Sequence, residues 1–326
     1  MTCAWSRAPL FVLTALGAAC SSASSGGPAS ATTTSLASGL SAQLLALDAT
    51  NVYAATQSGI VRVPLAGGKP VSLAQLPQQS GASGLAAGGS RVFWSQNDDS
   101  GTTPQGTLYS APIGGGAATT VATVAGYAGA IGTDDTDVYW AGSAIGTACA
   151  TASCGILVKA PLAGGTAVTL STSAHSPTSF AFDDTNVYWG SSDGFLLKMP
   201  KSGGSPTVLA DFESTSIEGV GLAGSTLYWG ASGGDVYETP VGGGTSKPLE
   251  VSTATMNGAA FTADGIAWGT QSYYADSQTG SVALTSLAGD TSTLWSSGSE
   301  APAAVVARGT TIVFVTSTGS LVEIAW

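Results

Sequence analysis

The chain is 326 residues long with 9 Lys and Arg, 20 Asp and Glu and a single His, so 9% of it is charged and its formal net charge is −11. So few charges do not solvate a largely helical surface, and Arg62, Lys69, Arg91, Lys159, Lys198, Lys201, Lys247 and Arg308 stand singly, which argues against a phosphate-binding face and against nucleic acid as a partner. With 44% hydrophobic residues, 45 Gly and 14 Pro, the composition suits many short strands joined by tight turns, so an all-β protein is expected.

In chain order, residues 1–19 carry one positive charge at Arg7, an apolar stretch over 8–16 and the small residues Gly17, Ala18 and Ala19 before Cys20. That is the layout of a secretory signal peptide, too short to span a bilayer. The run LGAAC at 16–20 resembles the bacterial lipoprotein signal, although Leu16 stands four residues before the Cys instead of three. The resemblance implies that Cys20 becomes the lipidated first residue of the mature chain and holds it to the membrane. Ordinary cleavage after Ala19 is the alternative, and it leaves Cys20 as an odd thiol in an oxidising compartment. Residues 20–32 then read as a flexible tether, since SSASSGGPAS at 21–30 has no large apolar residue and none follows before Leu36. The expected location is a bacterial cell envelope, at the outer membrane.

Residues 33–326 carry an internal repeat: apolar strand, Asp/Gly turn, Val-Tyr-Trp strand, loop, Leu-x-x-x-Pro-Leu strand, Gly-Gly turn, Val-x-Leu strand. The second strand recurs as NVYAAT (51–56), RVFWSQ (91–96), DVYWAG (137–142), NVYWGS (186–191), TLYWGA (226–231), GIAWGT (265–270) and TIVFVT (311–316), at the spacing of a four-stranded propeller blade. The Gly-Gly or Gly-Asp pairs before each fourth strand supply the positive φ of a two-residue hairpin turn. The last unit stops at LVEIAW (321–326), a third strand, and the segment 33–38 aligns with fourth strands. The expectation is therefore a seven-bladed β-propeller of four-stranded blades, its ring closed by an N-terminal strand that completes the last blade.

Val-Tyr-Trp followed by Gly, Ser or Ala resembles the second strand of YWTD-type propellers of the low-density-lipoprotein-receptor kind, and more loosely that of NHL and virginiamycin-B-lyase-like bacterial propellers. Where the YWTD motif ends in Asp, this chain has Gln96, Gly142, Ser191, Ala231 and Thr270. The resemblance implies a fold, and a fold does not give a function.

Trp94, Trp140, Trp189, Trp229 and Trp268 share one repeat position, and rings there are expected to fill the wedge between blades. The runs Asp134-Asp135-Thr136-Asp137 and Asp183-Asp184-Thr185-Asn186 lack the spacing and terminal Glu of an EF-hand and read as Asx-capped turns. Cys3 leaves with the signal, so Cys149 and Cys154 remain to form a local disulfide that stiffens its loop, while a metal would need two further ligands. No cofactor and no metal is expected. There is no His/Glu zinc pattern. The resemblance to virginiamycin-B-type lyases implies histidine chemistry around a metal, but His175 is the one histidine.

The connections between second and third strands are long in three units, 96–106, 141–155 and 271–280, and all three fall on one face of a propeller. This face is the expected contact for a protein, peptide or glycan, through Asn97, Asp98, Asp99, Tyr273, Tyr274 and Asp276. The alternative is an envelope hydrolase or lyase with carboxylates at the channel mouth: Glu213, Glu218 and Glu300 on connections between fourth and first strands, with His175.

Overall fold

The computed structural model describes residues 31–76, 81–145, 153–212, 215–250, 255–262, 264–274 and 277–325, with the backbone alone at 153, 154, 257, 272–274, 277 and 278. Among these residues all regular structure is β. Strand β1 is Thr32–Ala37; β2 (Ala42–Leu47), β3 (Asn51–Thr56), β4 (Gly59–Pro64) and β5 (Val71–Gln75) then form an antiparallel sheet in chain order. A seven-stranded sheet follows: β6 (Ala82–Gly88), β7 (Arg91–Asp98), β8 (Gln105–Pro112), β9 (Thr119–Thr133), β10 (Asp137–Ile145), β11 (Ser153–Pro161) and β12 (Val168–Ser171).

Four-stranded sheets resume with β13 (Pro177–Phe182), β14 (Asn186–Ser191), β15 (Phe195–Pro200) and β16 (Thr207–Asp211), and with β17 (Ile217–Ala223), β18 (Thr226–Ala231), β19 (Val236–Pro240) and β20 (Lys247–Glu250). Next come β21 (Thr255–Phe261), β22 (Gly265–Tyr274), β23 (Ser277–Ser286) and β24 (Thr291–Ser297). In the last sheet β25 (Pro302–Arg308), β26 (Thr311–Thr316) and β27 (Leu321–Ala325) are joined by β1, which pairs antiparallel with β27 in the register Thr32↔Ala325, Thr33↔Ile324, Thr34↔Glu323. The N-terminal strand begins one residue before the segment read from the repeat. First strands of successive sheets touch in the order β2, β6, β9, β13, β17, β21, β25, and β25 touches β2. That arrangement is a β-propeller.

Packing follows from this arrangement. Each second strand is sandwiched between neighbouring sheets, so consecutive residues on both of its faces are buried: Val52, Tyr53, Ala54 and Ala55 in β3, and Val187, Tyr188, Trp189, Gly190 and Ser191 in β14. Trp94, Trp140, Trp189, Trp229 and Trp268 are all buried, as a wedge-filling role requires. Four of their indole N–H groups are met, Trp94 by Gln96 Oε1 at 3.1 Å, Trp189 by the Ala174 carbonyl at 2.9 Å, Trp229 by Thr239 Oγ1 at 2.9 Å and Trp268 by Thr285 Oγ1 at 2.9 Å, while that of Trp140 is buried without a partner among the described residues. First strands are rich in Gly and Ala because they meet one another most closely. A Cβ on Gly132 of β9 would lie 2.8 Å from the Phe180 Cβ of β13, and one on Gly221 of β17 would run into the Phe261 ring of β21.

The fused sheet is the departure from the repeat. Between the expected fourth strand of the second unit and the first strand of the third the chain has no Pro, Asn, Asp or Ser, and β9 runs through both, pairing with β8 up to Ala125 and with β10 from Gly126. Gly126 makes the crossing possible. Its φ of 135° lies outside what other residues adopt, and a Cβ there would collide with the Ser143 carbonyl.

Removing residues 21–40 takes away β1, strips the edge of β27 and exposes the core around buried Leu36. The melting temperature should fall by at least about 5 °C, because a loss of ~2 kcal/mol already shifts a chain of this size by several degrees. Melting within a degree or two of the parent would show that β1 is dispensable.

Candidate functional site

The strands create two unlike ends. At the turn end lie the connections between first and second and between third and fourth strands; at the hairpin end lie those between second and third and between fourth and first. The three long connections at the hairpin end are largely paired, where the sequence suggested loops. β7 and β8 extend to Asp98↔Gln105, β10 and β11 to Ile145↔Ser153, and β22 and β23 to Tyr274↔Ser277. Alternating Thr, Tyr, Ile, Gln and Ser residues favour the extended ladder, so the insertions project as β-hairpin arms.

Asn97 is engaged at the base of the first arm. Its Nδ2 donates to Ser83 Oγ at 2.8 Å and to the Ala128 carbonyl at 3.2 Å, and its Oδ1 accepts from the Ala128 N–H at 2.6 Å, tying β7 to β6 and β9. Asp98 is exposed and accepts from the Ser100 N–H at 2.9 Å; hydrogen bonds from the Ser100 side chain and backbone hold its carboxyl below the usual carboxylate range. Asp99 is exposed beside it. Tyr273 and Tyr274 sit in the last paired steps of β22, while their side chains and all of Asp276 lie outside the described residues. Tyr127, which the sequence reading missed, is 43% exposed at this end and borders a shallow depression of about 170 Å³ with Ser143, Ser176 and Pro177. Cys20, Cys149 and the side chain of Cys154 also lie outside the described residues.

The alternative residues are distributed among separate blades. His175, at φ 58°, stands before β13, packs its ring at 4.4 Å and a tilt of 47° against Phe195 and places Nδ1 2.7 Å from Asp193 Oδ2. Glu300, before β25, accepts from Thr318 Oγ1 at 2.5 Å. These two contacts occupy matching places, each joining a connection before a first strand to the turn after the second strand of the same blade. Backbone bonds repeat alongside, from Ser192 N–H to the Ser176 carbonyl and from Ser317 N–H to the Ala301 carbonyl. Glu218 was expected on a connection but lies in β17, at the irregularity between Ile217 and Gly219. Glu213 is outside the described residues. Among those described, no hydrogen bond or ion pair joins His175, Glu218 and Glu300, and no group of three or more His, Cys, Asp or Glu is placed to hold a metal ion.

At the turn end a motif recurs that sequence reading saw only as turns. In Asp48-Ala49-Thr50-Asn51-Val52-Tyr53, Asp48 Oδ1 accepts from the N–H groups of Thr50 and Asn51, both at 2.7 Å, and Oδ2 accepts from Tyr53 Oη at 2.5 Å. Asp134 and Asp183 do the same for Thr136, Asp137 and Tyr139 and for Thr185, Asn186 and Tyr188. Desolvation would raise these carboxyls, but the converging donors outweigh it and hold them low, Asp134 at about 2 with the help of Lys201 at 2.7 Å. Burial, followed by the Asp partner, pushes the Tyr53, Tyr139 and Tyr188 hydroxyls far above their ordinary 10.0. Two of these turns, at Asp48 and Asp134, frame a concavity of about 430 Å³ together with the Gly88-Gly89 turn, Arg91 and Arg308. Most of its polar groups are already engaged: Asp48 and Asp134 as above, Arg91 by Ser110 Oγ at 2.8 Å and Thr119 Oγ1 at 3.1 Å.

No protein-family model matches the chain, and no curated protein matches it. Solved structures do. A catalytically inactive variant of virginiamycin B lyase from Staphylococcus aureus with quinupristin superimposes with a TM-score of 0.63 at 13% identity, covering 91% of this chain and 99% of that one. YCF48 bound to D1 peptide gives 0.62 at 10% identity over 91% and 95% of the two chains. BamB from Moraxella catarrhalis gives 0.53 at 16% over 86% and 82%. At such identities the likeness shows the fold, a β-propeller, and nothing finer.

Thermal stability should depend on pH through the Asp–Tyr pairs. The Asp contribution is complete above their ordinary 3.8 and is lost as pH falls through the lowered folded values; the Tyr contribution is complete below 10.0 and is lost as pH rises toward the raised ones. Asp183→Ala leaves the Tyr188 hydroxyl without its acceptor and should cost about 1–3 kcal/mol at neutral pH. A variant that melts with the parent would show that the pair contributes nothing.

Proposed function

We propose that this chain is a non-enzymatic, lipid-anchored protein of a bacterial cell envelope, attached to the outer membrane through Cys20, that binds a protein, peptide or glycan at its hairpin end. In this reading the sheets form seven blades in a closed ring, with β9 serving two of them and β1 completing the last. The cyclic contacts of the first strands and the pairing of β1 with β27 support it.

The observation that carries the binding reading is the set of three hairpin arms, β7–β8, β10–β11 and β22–β23, extending from one end beyond the strands of the other blades. Ordering such segments has an entropic cost that core burial does not offset, so their rigidity is unexplained by stability alone. A neighbour of this fold, YCF48, is seen bound to a peptide, and another, virginiamycin B lyase, with quinupristin. Because Asn97 is occupied in holding the first arm, recognition falls to Asp98, Asp99, Tyr273, Tyr274 and Asp276, with Tyr127 at the rim. A disulfide between Cys149 and Cys154 would stiffen the second arm.

Two measurements test this. Cys20→Ala should move the protein from the membrane to the soluble fraction, and unchanged membrane retention would sink the anchor. With a partner isolated from envelope extracts, Ala at Asp98, Asp99, Tyr273 and Tyr274 together should weaken binding at least about tenfold, about 1.4 kcal/mol, at an unchanged melting temperature. Binding that survives those changes and is lost on altering the Gly-Gly turns would place the site at the turn end.

A further inference from the structure

The way the chain enters the fold, taken with the placement of its charges, bears on how the molecule stands on the membrane. Thr32 opens β1 opposite Ala325, the last residue of β27, and the preceding residue of β27, Ile324, faces Ile312 near the start of β26. Second strands start at the turn end, so the chain enters the fold there. It then runs up β1 to the hairpin end, where the Leu40 N–H donates to the Gly319 carbonyl at 2.9 Å in the turn between β26 and β27. The residues that precede Ala31, itself packed against the core, therefore join the fold at the turn end, on the outermost strand of its sheet.

Charge follows the same axis. Every Lys and Arg after Arg7 lies at or toward the turn end. Arg91 and Arg308 border turns between first and second strands, and Lys69, Lys201 and Lys247 border turns between third and fourth strands. Arg62, Lys159 and Lys198 stand on third strands opposite Tyr53, Tyr139 and Tyr188, the residues whose hydroxyls reach the turn Asp side chains. Ten of the twenty acidic residues, Asp48, Asp134 and Asp183 among them, share the turn end with the eight cations and leave it at about −2, whereas among the described residues the hairpin end carries Asp98, Asp99, Asp193, Asp211, Glu218, Asp235, Glu250 and Glu300 and no Lys or Arg.

We propose that the anchored protein stands with its turn end toward the bilayer and its acidic hairpin end away from it, a reading that rests on the lipid at Cys20. The ten residues 21–30 reach at most about 36 Å when fully extended. A nine-residue strand such as β10 is itself about 30 Å long. Turning the hairpin end to the membrane would draw the tether along the side of a blade to most of its contour, and would press an end with no cations against anionic headgroups. With the turn end down, the tether spans a shorter path, the less acidic end faces the headgroups, and the arms point into the aqueous space where a partner arrives.

The test reads distance to the membrane from the two ends. A fluorescent residue replaces exposed Asp184 at the turn end or exposed Ser100 at the tip of the first arm. Each labelled protein is placed on vesicles carrying nickel-chelating headgroups, which quench nearby fluorophores. One arm uses the full chain processed in cells to its lipid form; the other uses the chain from Ser21 with an N-terminal hexahistidine tag held by the nickel lipid. Quenching several-fold stronger at 184 than at 100 in both arms is expected. Equal quenching, or stronger quenching at 100, in either arm overturns the orientation. Failure of the cell-processed chain to stay on vesicles overturns the anchor, and with it the orientation of the native protein, even where the tagged arm gives the expected order.

Discussion

The constraint on which this structure depends is that each sheet must bury both of its faces against its neighbours. A sheet with one solvated face alternates apolar and polar residues; here the second strands are buried at consecutive positions, as in Leu227, Tyr228, Trp229, Gly230 and Ala231 of β18. Large rings fill the wedge where sheets diverge, while Gly132 and Gly221 let first strands approach where they converge on Phe180 and Phe261. Large and small residues are thus placed by distance from the centre of the assembly more than by local propensity.

Burying second strands so completely leaves polar tips to be satisfied, and the solutions recur because the strands recur. A Tyr that fills the wedge at Tyr53, Tyr139 and Tyr188 carries a hydroxyl into the turn below, where an Asp five residues earlier already caps two backbone N–H groups. One carboxylate thereby fixes a turn and satisfies a buried hydroxyl. The few cations serve the same end: Arg62 donates to the Ile113 carbonyl at 2.6 Å and Lys198 to the Val241 carbonyl at 3.1 Å, each stitching one sheet to the next at the residue after a strand-ending Pro. Ion pairs such as Lys201–Asp134 add to these ties. Arg62, Lys198 and Lys201 thus tie neighbouring sheets, while Arg91, Lys159 and Lys247 bind partners within their own.

Much of this was legible in the sequence because a repeat states the same physics several times over. Val-Tyr-Trp marked the second strands and Gly-Gly the outer turns, and the wedge-filling role of the five Trp residues followed from their common position. What was not legible came from places where one copy differs. Nothing in a pattern of separate strands shows that 119–133 is continuous, although the lack of any Pro, Asn, Asp or Ser there is the available signal. The hairpin arms were read as loops because length alone was weighed, not the alternation that lets Gln271 pair with Gly280 and Tyr273 with Gln278. Asn97 looked available for a ligand because sequence shows its chemistry and not its neighbours, and Ser83 and Ala128 are distant in the chain. The partner of each Tyr was missed for the opposite reason: the Asp lay only five residues away, and attention went to the place where a YWTD motif would carry one.

The two ends of the molecule consequently differ in what their polar groups are free to do. At the turn end the Asp residues and Arg91 are consumed in holding the fold, so even a 430 Å³ concavity offers few uncommitted donors and acceptors. At the hairpin end the backbone is ordered by ladder hydrogen bonds, and Asn97 locks the base of one arm to the neighbouring sheet, which leaves Asp98 and Asp99 projecting from a rigid support. Order of that kind lowers the entropic penalty of association at the described base of the first arm, where β7 and β8 stay paired as far as Asp98 and Gln105. The same hydrogen bonds that withdraw Asn97 from direct recognition thus make the residues beside it better suited to recognition.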